Sequence, residues 1–145
     1  MKKLLFPAII LAAVAIFQLV GGQYSASTPS SASRQDRSAL TRAFETQADG
    51  VQVEGAGTVV KVLKDDNDGS RHQRFIVQVD SGMTVLIAHN IDLAPRVSPL
   101  NEGDAVSFNG EYAWNAKGGV IHWTHHDPRG LHPAGWIRHD GRLFQ

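Results

Sequence analysis

The stretch of sequence that decides the fold is RHQRFIVQVDSGMTVLIAHN, residues 71–90. Its first half alternates, because Phe75, Val77 and Val79 point to one side of an extended chain while Arg74 and Gln78 point to the other. Ser81-Gly82 then closes a turn into Met83–Asn90, which is rich in apolar and β-branched residues. Residues 71–90 therefore predict an antiparallel hairpin with one buried face.

Similar strand patterns occur on both sides of this hairpin. Gly57–Leu63 alternates before it, and Ala105–Trp114 and Val120–His126 follow it after a loop over Ile91–Asp104. Three strands in a meander, a longer connection and a final hairpin are typical of an OB-like Greek-key barrel, which binds ligands on strands two and three and on its loops. We predict an all-β domain with a small five-stranded barrel of this type, any other five-stranded barrel being the alternative. A C-terminal hairpin at His139–Gly141 extends it.

The N-terminal part differs in composition from the barrel. A short positive start and an apolar run at 4–20 are typical of a signal peptide over 1–22, or of an anchor in the inner membrane if the segment is not cleaved. Residues 23–50 are a Ser-rich linker with a short helix near its end, and 51–145 form the barrel domain. The domain is therefore expected outside the cytoplasm, periplasmic or secreted, with membrane contact only through an uncleaved N-terminal segment.

Composition excludes several classes of protein. The chain has no cysteine, so a lipid-anchoring cysteine, a disulfide framework and a thiolate metal site are all excluded. Lys plus Arg and Asp plus Glu number 14 each, which gives zero formal charge. A nucleic-acid partner is not expected, since such proteins usually carry a basic excess.

Several blocks of sequence, taken in order, resemble the bacterial domain-of-unknown-function family DUF3465 over roughly residues 55–145. These blocks are Lys64–Phe75, His89–Pro95, Gly110–Asn115, Gly118–Pro128 and Gly135–Ile137. The resemblance implies an uncharacterised exported protein and assigns no activity.

Histidine clusters near the end of the fifth predicted strand, where His122, His125 and His126 precede Asp127. On a regular strand, Ile121 and Trp123 would face the core, and His122 and His126 would lie about 13 Å apart, too far to share one ion. A metal site would therefore need partners from other strands, and zinc is the candidate ion. The candidate metal ligands are His72, His89, His122, His125, His126 and Asp127.

Three hypotheses of function remain from the sequence. The first is a non-catalytic binding module for a polar or anionic small molecule or an envelope partner, with His72 and His89 brought to one rim by the hairpin. Its candidate binding residues are Arg71, His72, Arg74, His89, Asn90 and His122. The second is a divalent-metal-binding protein or metal-dependent hydrolase, in which Asp92 or Asp127 orients an imidazole or acts as a base. The third is a structural envelope protein. The sequence identifies no catalytic residue under any of the three hypotheses.

Overall fold

The structure is a computed structural model that describes residues 39–79 and 81–145. The predicted signal or anchor segment and most of the linker lie outside the described residues. A short helix at 39–45 is followed by seven strands: β1 Val51–Val62, β2 His72–Val79, β3 Thr84–Asn90, β4 Ala105–Ala113, β5 Val120–His122, β6 Trp136–His139 and β7 Arg142–Phe144. No helix within this part of the chain has the length and hydrophobicity needed to span a bilayer.

Strands β1 to β5 close into a barrel, which confirms the predicted OB-like architecture. They are hydrogen-bonded in the order β1-β2-β3-β5-β4, and pairing of β1 with β4 completes the circle. β3 and β5 are parallel, while the other barrel pairs are antiparallel. The predicted C-terminal hairpin is β6–β7, which turns at Asp140-Gly141 and pairs with the first half of β4.

The core fills the inside of this barrel. The alternation read in residues 71–90 places Phe75, Val77 and Ile87 there with no exposed surface. The helix at 39–45 belongs to the same core, because Leu40 and Ala43 are 1% and 5% exposed. Burial of side chains like these is the main stabilising contribution of a domain without disulfides.

Two buried polar side chains fasten the connection between β3 and β4. The Gln73 amide donates to the carbonyl oxygen of Val97 and accepts from its N–H, both at 2.9 Å. The His89 ring, which lies opposite Gln73 in the β2–β3 ladder, bonds the carbonyl oxygen of Pro95 at 3.0 Å. The predicted loop over 91–104 is thus held against the barrel, and its first residues form turns.

The fifth strand is shorter than predicted. It ends at His122, and the prediction that Trp123 shares the core face with Ile121 is wrong: Ile121 is fully buried and Trp123 is 37% exposed. The cause is a left-handed backbone at Trp123, with φ of 51°, which breaks the alternation of faces.

Candidate functional site

Three strand ends meet at one rim of the barrel. β2 begins at His72, opposite the end of β3 at Asn90. β5 is parallel to β3, so its last residue, His122, lies at the same end. The chain after β5 crosses this rim as a loop over residues 123–135, called here the His loop.

The register places the two histidines of the predicted hairpin rim on opposite faces. His72 pairs with Asn90, whereas His89 pairs with Gln73, and the side chain of His89 points inward with no exposed surface. The carbonyl oxygen of Pro95 can only accept, so Nε2 of His89 carries the proton and Nδ1 accepts from the Thr124 hydroxyl at 2.8 Å. Burial lowers the pKa of His89 to about 4. His89 therefore joins the rim as a neutral structural side chain.

The His loop and the β3 end enclose a cleft of about 440 Å³, called here the rim cleft. It is lined by Asn90, Leu93, Trp123, His125, Asp127, Pro128, Arg129, Leu131 and His132. Leu93, Trp123 and Leu131 are 56%, 37% and 71% exposed, which places three large apolar side chains in water around one opening. Within the described residues, the Arg129 guanidinium makes no ion pair.

A chain of aromatic rings forms one wall of the rim cleft. The Trp123 indole stacks on His132 with centroids 4.4 Å apart and an interplanar angle of 17°. The centroid of the His122 ring lies 5.0 Å from that of the indole, and the two ring planes are inclined by 42°. His125 meets His132 edge-on, with centroids 5.2 Å apart. Trp123, His125 and His132 line the rim cleft, and these aromatic contacts fix the position of the partly exposed indole there.

Asp127 holds the His loop in shape from within. Its carboxylate, with a side chain 7% exposed, accepts the backbone N–H groups of Arg129, Leu131 and His132. These hydrogen bonds, that of Arg129 first, hold the pKa of Asp127 below its usual range. Nε2 of His132 lies 3.8 Å away and adds an ion pair when it is protonated.

The other predicted binding residues are mostly engaged within the protein. Arg71 pairs with Asp92 at 2.7 Å, and the Arg74 guanidinium donates to the carbonyl oxygen of Lys64 at 3.1 and 3.2 Å. Asn90 lines the rim cleft, but its side-chain oxygen accepts from the two N–H groups of the following turn.

The two remaining imidazoles of the binding set are partly exposed at the rim. Nδ1 of His72 donates to the carbonyl oxygen of Ser70 at 2.9 Å. Nε2 of His122 lies 3.4 Å from Glu111, and the pKa of His122 is lowered mainly by burial, with Glu111 acting in the opposite direction.

The predicted metal ligands lie apart. His89 is in the core, His126 is exposed, and His125 donates from Nδ1 to the carbonyl oxygen of His126. Among residues 39–79 and 81–145, no three His, Asp or Glu side chains are close enough to share an ion.

Six residues of the rim cleft were not among the candidates predicted from the sequence: Leu93, Trp123, Pro128, Arg129, Leu131 and His132. A signal for part of this set exists in Pro128-Arg129-Gly130-Leu131, where a leucine sits in a turn-rich polar segment.

The fold and the site together define a closed OB-type barrel with an apolar, partly cationic cleft at the end of β3 and β5. The sequence profile of the family described as "Protein of unknown function (DUF3465)" matches residues 23–145, and the chain belongs to this family. The match begins earlier than the resemblance read from the sequence blocks. No curated protein matches the chain.

The strained backbone at Trp123 gives a testable prediction. Trp123→Gly and Trp123→Ala both remove the indole, but only glycine adopts a φ near 51° without strain. We expect urea unfolding to show the glycine variant as about 1 kcal/mol more stable than the alanine variant. At most positions alanine is the more stable of the two. Val120→Gly and Val120→Ala, at the start of β5, are the control pair and should show alanine as the more stable. Equal stability of the two Trp123 variants would contradict the strain.

Proposed function

We propose that the chain is an exported, non-catalytic OB-type binding module whose rim cleft holds an anionic ligand with a flat or apolar portion. The observation that carries this proposal is the grouping of Leu93, Trp123 and Leu131 around one opening beside Arg129. Large apolar side chains that are exposed and cluster around a concave site indicate a ligand-binding site, whereas single exposed apolar side chains are common on any protein surface. A guanidinium with no carboxylate partner in the described residues suits a carboxylate, sulfonate or phosphate.

The backbone at Trp123 supports the same proposal. A bulky residue with positive φ stores on the order of 1–3 kcal/mol of strain, and such strain concentrates at binding sites. Three non-glycine residues have positive φ in the part of the chain that the structure describes. Asp140 belongs to a two-residue hairpin turn and Gln47 follows the helix, so both have a local reason. Trp123 has no such local reason for its positive φ, and the consequence of this backbone conformation is that its indole lines the rim cleft.

The polar chemistry favours binding over catalysis. The hydroxyl of Thr124 and the imidazole of His89 are hydrogen-bonded, as a nucleophile and base would be, yet both side chains have no exposed surface. A substrate carbonyl cannot reach that hydroxyl, because attack needs the reacting atoms about 3 Å apart. The pair explains how the His loop is fastened to β3.

The experiment uses anilinonaphthalene sulfonate, a fluorescent probe with a flat apolar ring system and one anionic group. We expect saturable binding to the full-length chain at neutral pH, weakened about five-fold by Arg129→Gln and about ten-fold by Leu131→Ser. The matched controls are Arg138→Gln and Leu143→Ser, which change an exposed arginine and a 45% exposed leucine on β6 and β7. They should bind the probe as the unchanged chain does.

Three outcomes would overturn the proposal. Absence of probe binding, or equal loss in the cleft and control variants, would leave the structural-protein hypothesis. A rise in melting temperature with zinc that disappears in His122→Ala would favour the metal hypothesis instead.

A further inference from the structure

Two imidazoles in the wall of the rim cleft are held by the same kind of local hydrogen bond. Nδ1 of His125 lies 2.9 Å from the carbonyl oxygen of His126. Nδ1 of His132 lies 2.8 Å from the carbonyl oxygen of Pro133. A carbonyl oxygen can only accept, so Nδ1 carries the proton in both rings. In the neutral form of each ring, Nε2 is therefore a hydrogen-bond acceptor.

Nε2 of His125 is an acceptor that the fold leaves unpaired. His125 is only 3% exposed, yet it lines the rim cleft, and its Nε2 makes no hydrogen bond to a described residue. Among the described residues, the one fully buried side-chain nitrogen or oxygen without a partner is Nε1 of Trp114, so Nε2 of His125 is not sealed off from the cleft. Because this acceptor is withdrawn from bulk water, a ligand that donates to it gains affinity.

Nε2 of His132 suits a ligand less well. It lies 3.8 Å from Oδ2 of Asp127, so a carboxylate stands beside it, and that carboxylate repels an anion. The ring of His132 is also stacked on the Trp123 indole. The acceptor that a ligand can use is therefore the one on His125.

The same cleft also contains an unpaired donor. Oδ1 of Asn90 accepts from the N–H groups of Asp92 and Leu93 at 2.9 and 3.2 Å, which identifies the other amide atom as the nitrogen. This Nδ2 group makes no hydrogen bond within the described residues, and Asn90 lines the cleft. A hydroxyl group both donates and accepts, so it matches an acceptor and a donor in one site. A ligand ammonium only donates, and the Arg129 guanidinium in the same cleft would repel it.

We infer that the ligand of the rim cleft is a hydroxylated acid with a flat apolar body, which is the chemistry of a phenolic acid, and that its hydroxyl donates to Nε2 of His125. This inference rests on the proposed function, which accounts for the acid group by Arg129 and for the apolar body by Leu93 and Leu131. The hydroxyl adds specificity, because a site with a withdrawn acceptor discriminates against an analogue that leaves it unpaired.

Three probes of similar shape test the hydroxyl contact in the full-length chain. They are naphthalene-2-sulfonate, 6-hydroxynaphthalene-2-sulfonate and 6-methoxynaphthalene-2-sulfonate, titrated by calorimetry with EDTA present at about pH 7.5, where an ordinary imidazole is mostly neutral. The methoxy group can accept a hydrogen bond but cannot donate one. We expect the hydroxy probe to bind about five-fold more tightly than the parent sulfonate and about ten-fold more tightly than the methoxy probe.

Variants of His125 separate a ligand contact from a structural role. His125→Asn keeps a donor for the carbonyl oxygen of His126 but ends before the position of Nε2, so the hydroxy and parent probes should bind it within about two-fold of each other. His125→Gln carries its amide oxygen farther out and should keep a preference of about three-fold. His126→Asn is the matched control, at an exposed histidine that does not line the cleft, and should keep the full preference.

Failure of the inference and failure of the proposed function give different results. If the parent probe binds but the hydroxyl adds no affinity, or if the preference persists in His125→Asn, the inference is overturned and the proposed function stands. If none of the three probes binds, the proposed function is overturned and the inference with it. An equal loss of preference in His126→Asn would also overturn the contact with His125. Melting temperatures show whether each variant is folded, and the three probes on the unchanged chain remain decisive if His125→Asn is not.

Discussion

Between pH 7 and pH 4, the free energy of unfolding should fall by about 3 kcal/mol through the titration of His89 alone. Burial lowers the pKa of this imidazole from 6.5 to about 4 in the folded chain. In that window the unfolded chain binds the proton and the folded chain does not, so acid favours unfolding. The contribution of His89 is fully present above pH 6.5 and is lost as pH falls toward 4.

Other groups act at the same or lower pH and can be separated. The pKa values of Asp92, Asp104 and Asp127 are lowered, mainly by backbone hydrogen bonds from Arg71, Asn101 and Arg129, so their contributions are lost only as pH falls through and below the ordinary carboxyl range. The pKa of His122 is also lowered, chiefly by burial. Its titration therefore changes the free energy of unfolding in the same direction as that of His89.

Urea unfolding of two variants measures the share of His89. His89→Gln retains a donor for the carbonyl oxygen of Pro95 and an acceptor for the Thr124 hydroxyl, but it does not titrate. We expect it to be about 1–2 kcal/mol less stable than the unchanged chain at pH 7 and to match or exceed it near pH 4. The control variant, His122→Gln, should keep most of the pH dependence. An unchanged pH profile in His89→Gln would show that this imidazole is accessible to protons in the folded chain.

The barrel was predictable because its strands carry their own pattern. In β2 and β4 every second residue is buried, and Gln73 is the one polar side chain among these buried residues. Ser81-Gly82 and Asp140-Gly141 are turn dipeptides that need no long-range information. The strand order then follows from a meander, one long connection and a final hairpin, a sequence of elements that few barrels share.

The candidate site was less predictable because distant residues decide where β5 ends. The sequence VIHWTHH at 120–126 alternates well enough to continue as a strand. In the fold, the hydroxyl of Thr124 bonds His89, 35 residues earlier, and the carbonyl oxygen of His125 accepts from the N–H of Gly135. No local pattern records those partners, so the turn at Trp123 and the cleft that it opens were missed.

The position of His89 shows how one register step changes the interpretation of a residue. The sequence placed it correctly at the end of β3, near the start of β2. The register decides which side of the sheet its side chain occupies: pairing with His72 would place it on the outer face, whereas the observed pairing with Gln73 places it in the core. A histidine that reads as a ligand at the rim is therefore a buried side chain that fastens the β3–β4 connection.

Gly135→Ala should lower the free energy of unfolding by about 3 kcal/mol and remove probe binding at the rim cleft. A Cβ at this position would lie 2.1 Å from the carbonyl oxygen of Trp123, 2.6 Å from that of Asn109 and 2.8 Å from Cα of Thr124. All three are backbone atoms, so no side-chain rotation relieves the overlap. The segment from Trp123 to His125 must move away from β6, which displaces the indole from His132.

Gly130→Ala is the matched control, because it lies in the same loop. Its φ is +63°, but a Cβ there meets no atom within 4 Å. We expect a loss of only about 1 kcal/mol, from backbone strain alone, with probe binding retained. Unfolding in urea gives the first quantity and probe titration the second. If both variants lost the same stability, backbone strain would explain the result and the packing of residues 123–125 against β6 would not. If Gly135→Ala were destabilised yet still bound the probe with unchanged affinity, probe binding at the rim cleft would not depend on the placement of Trp123.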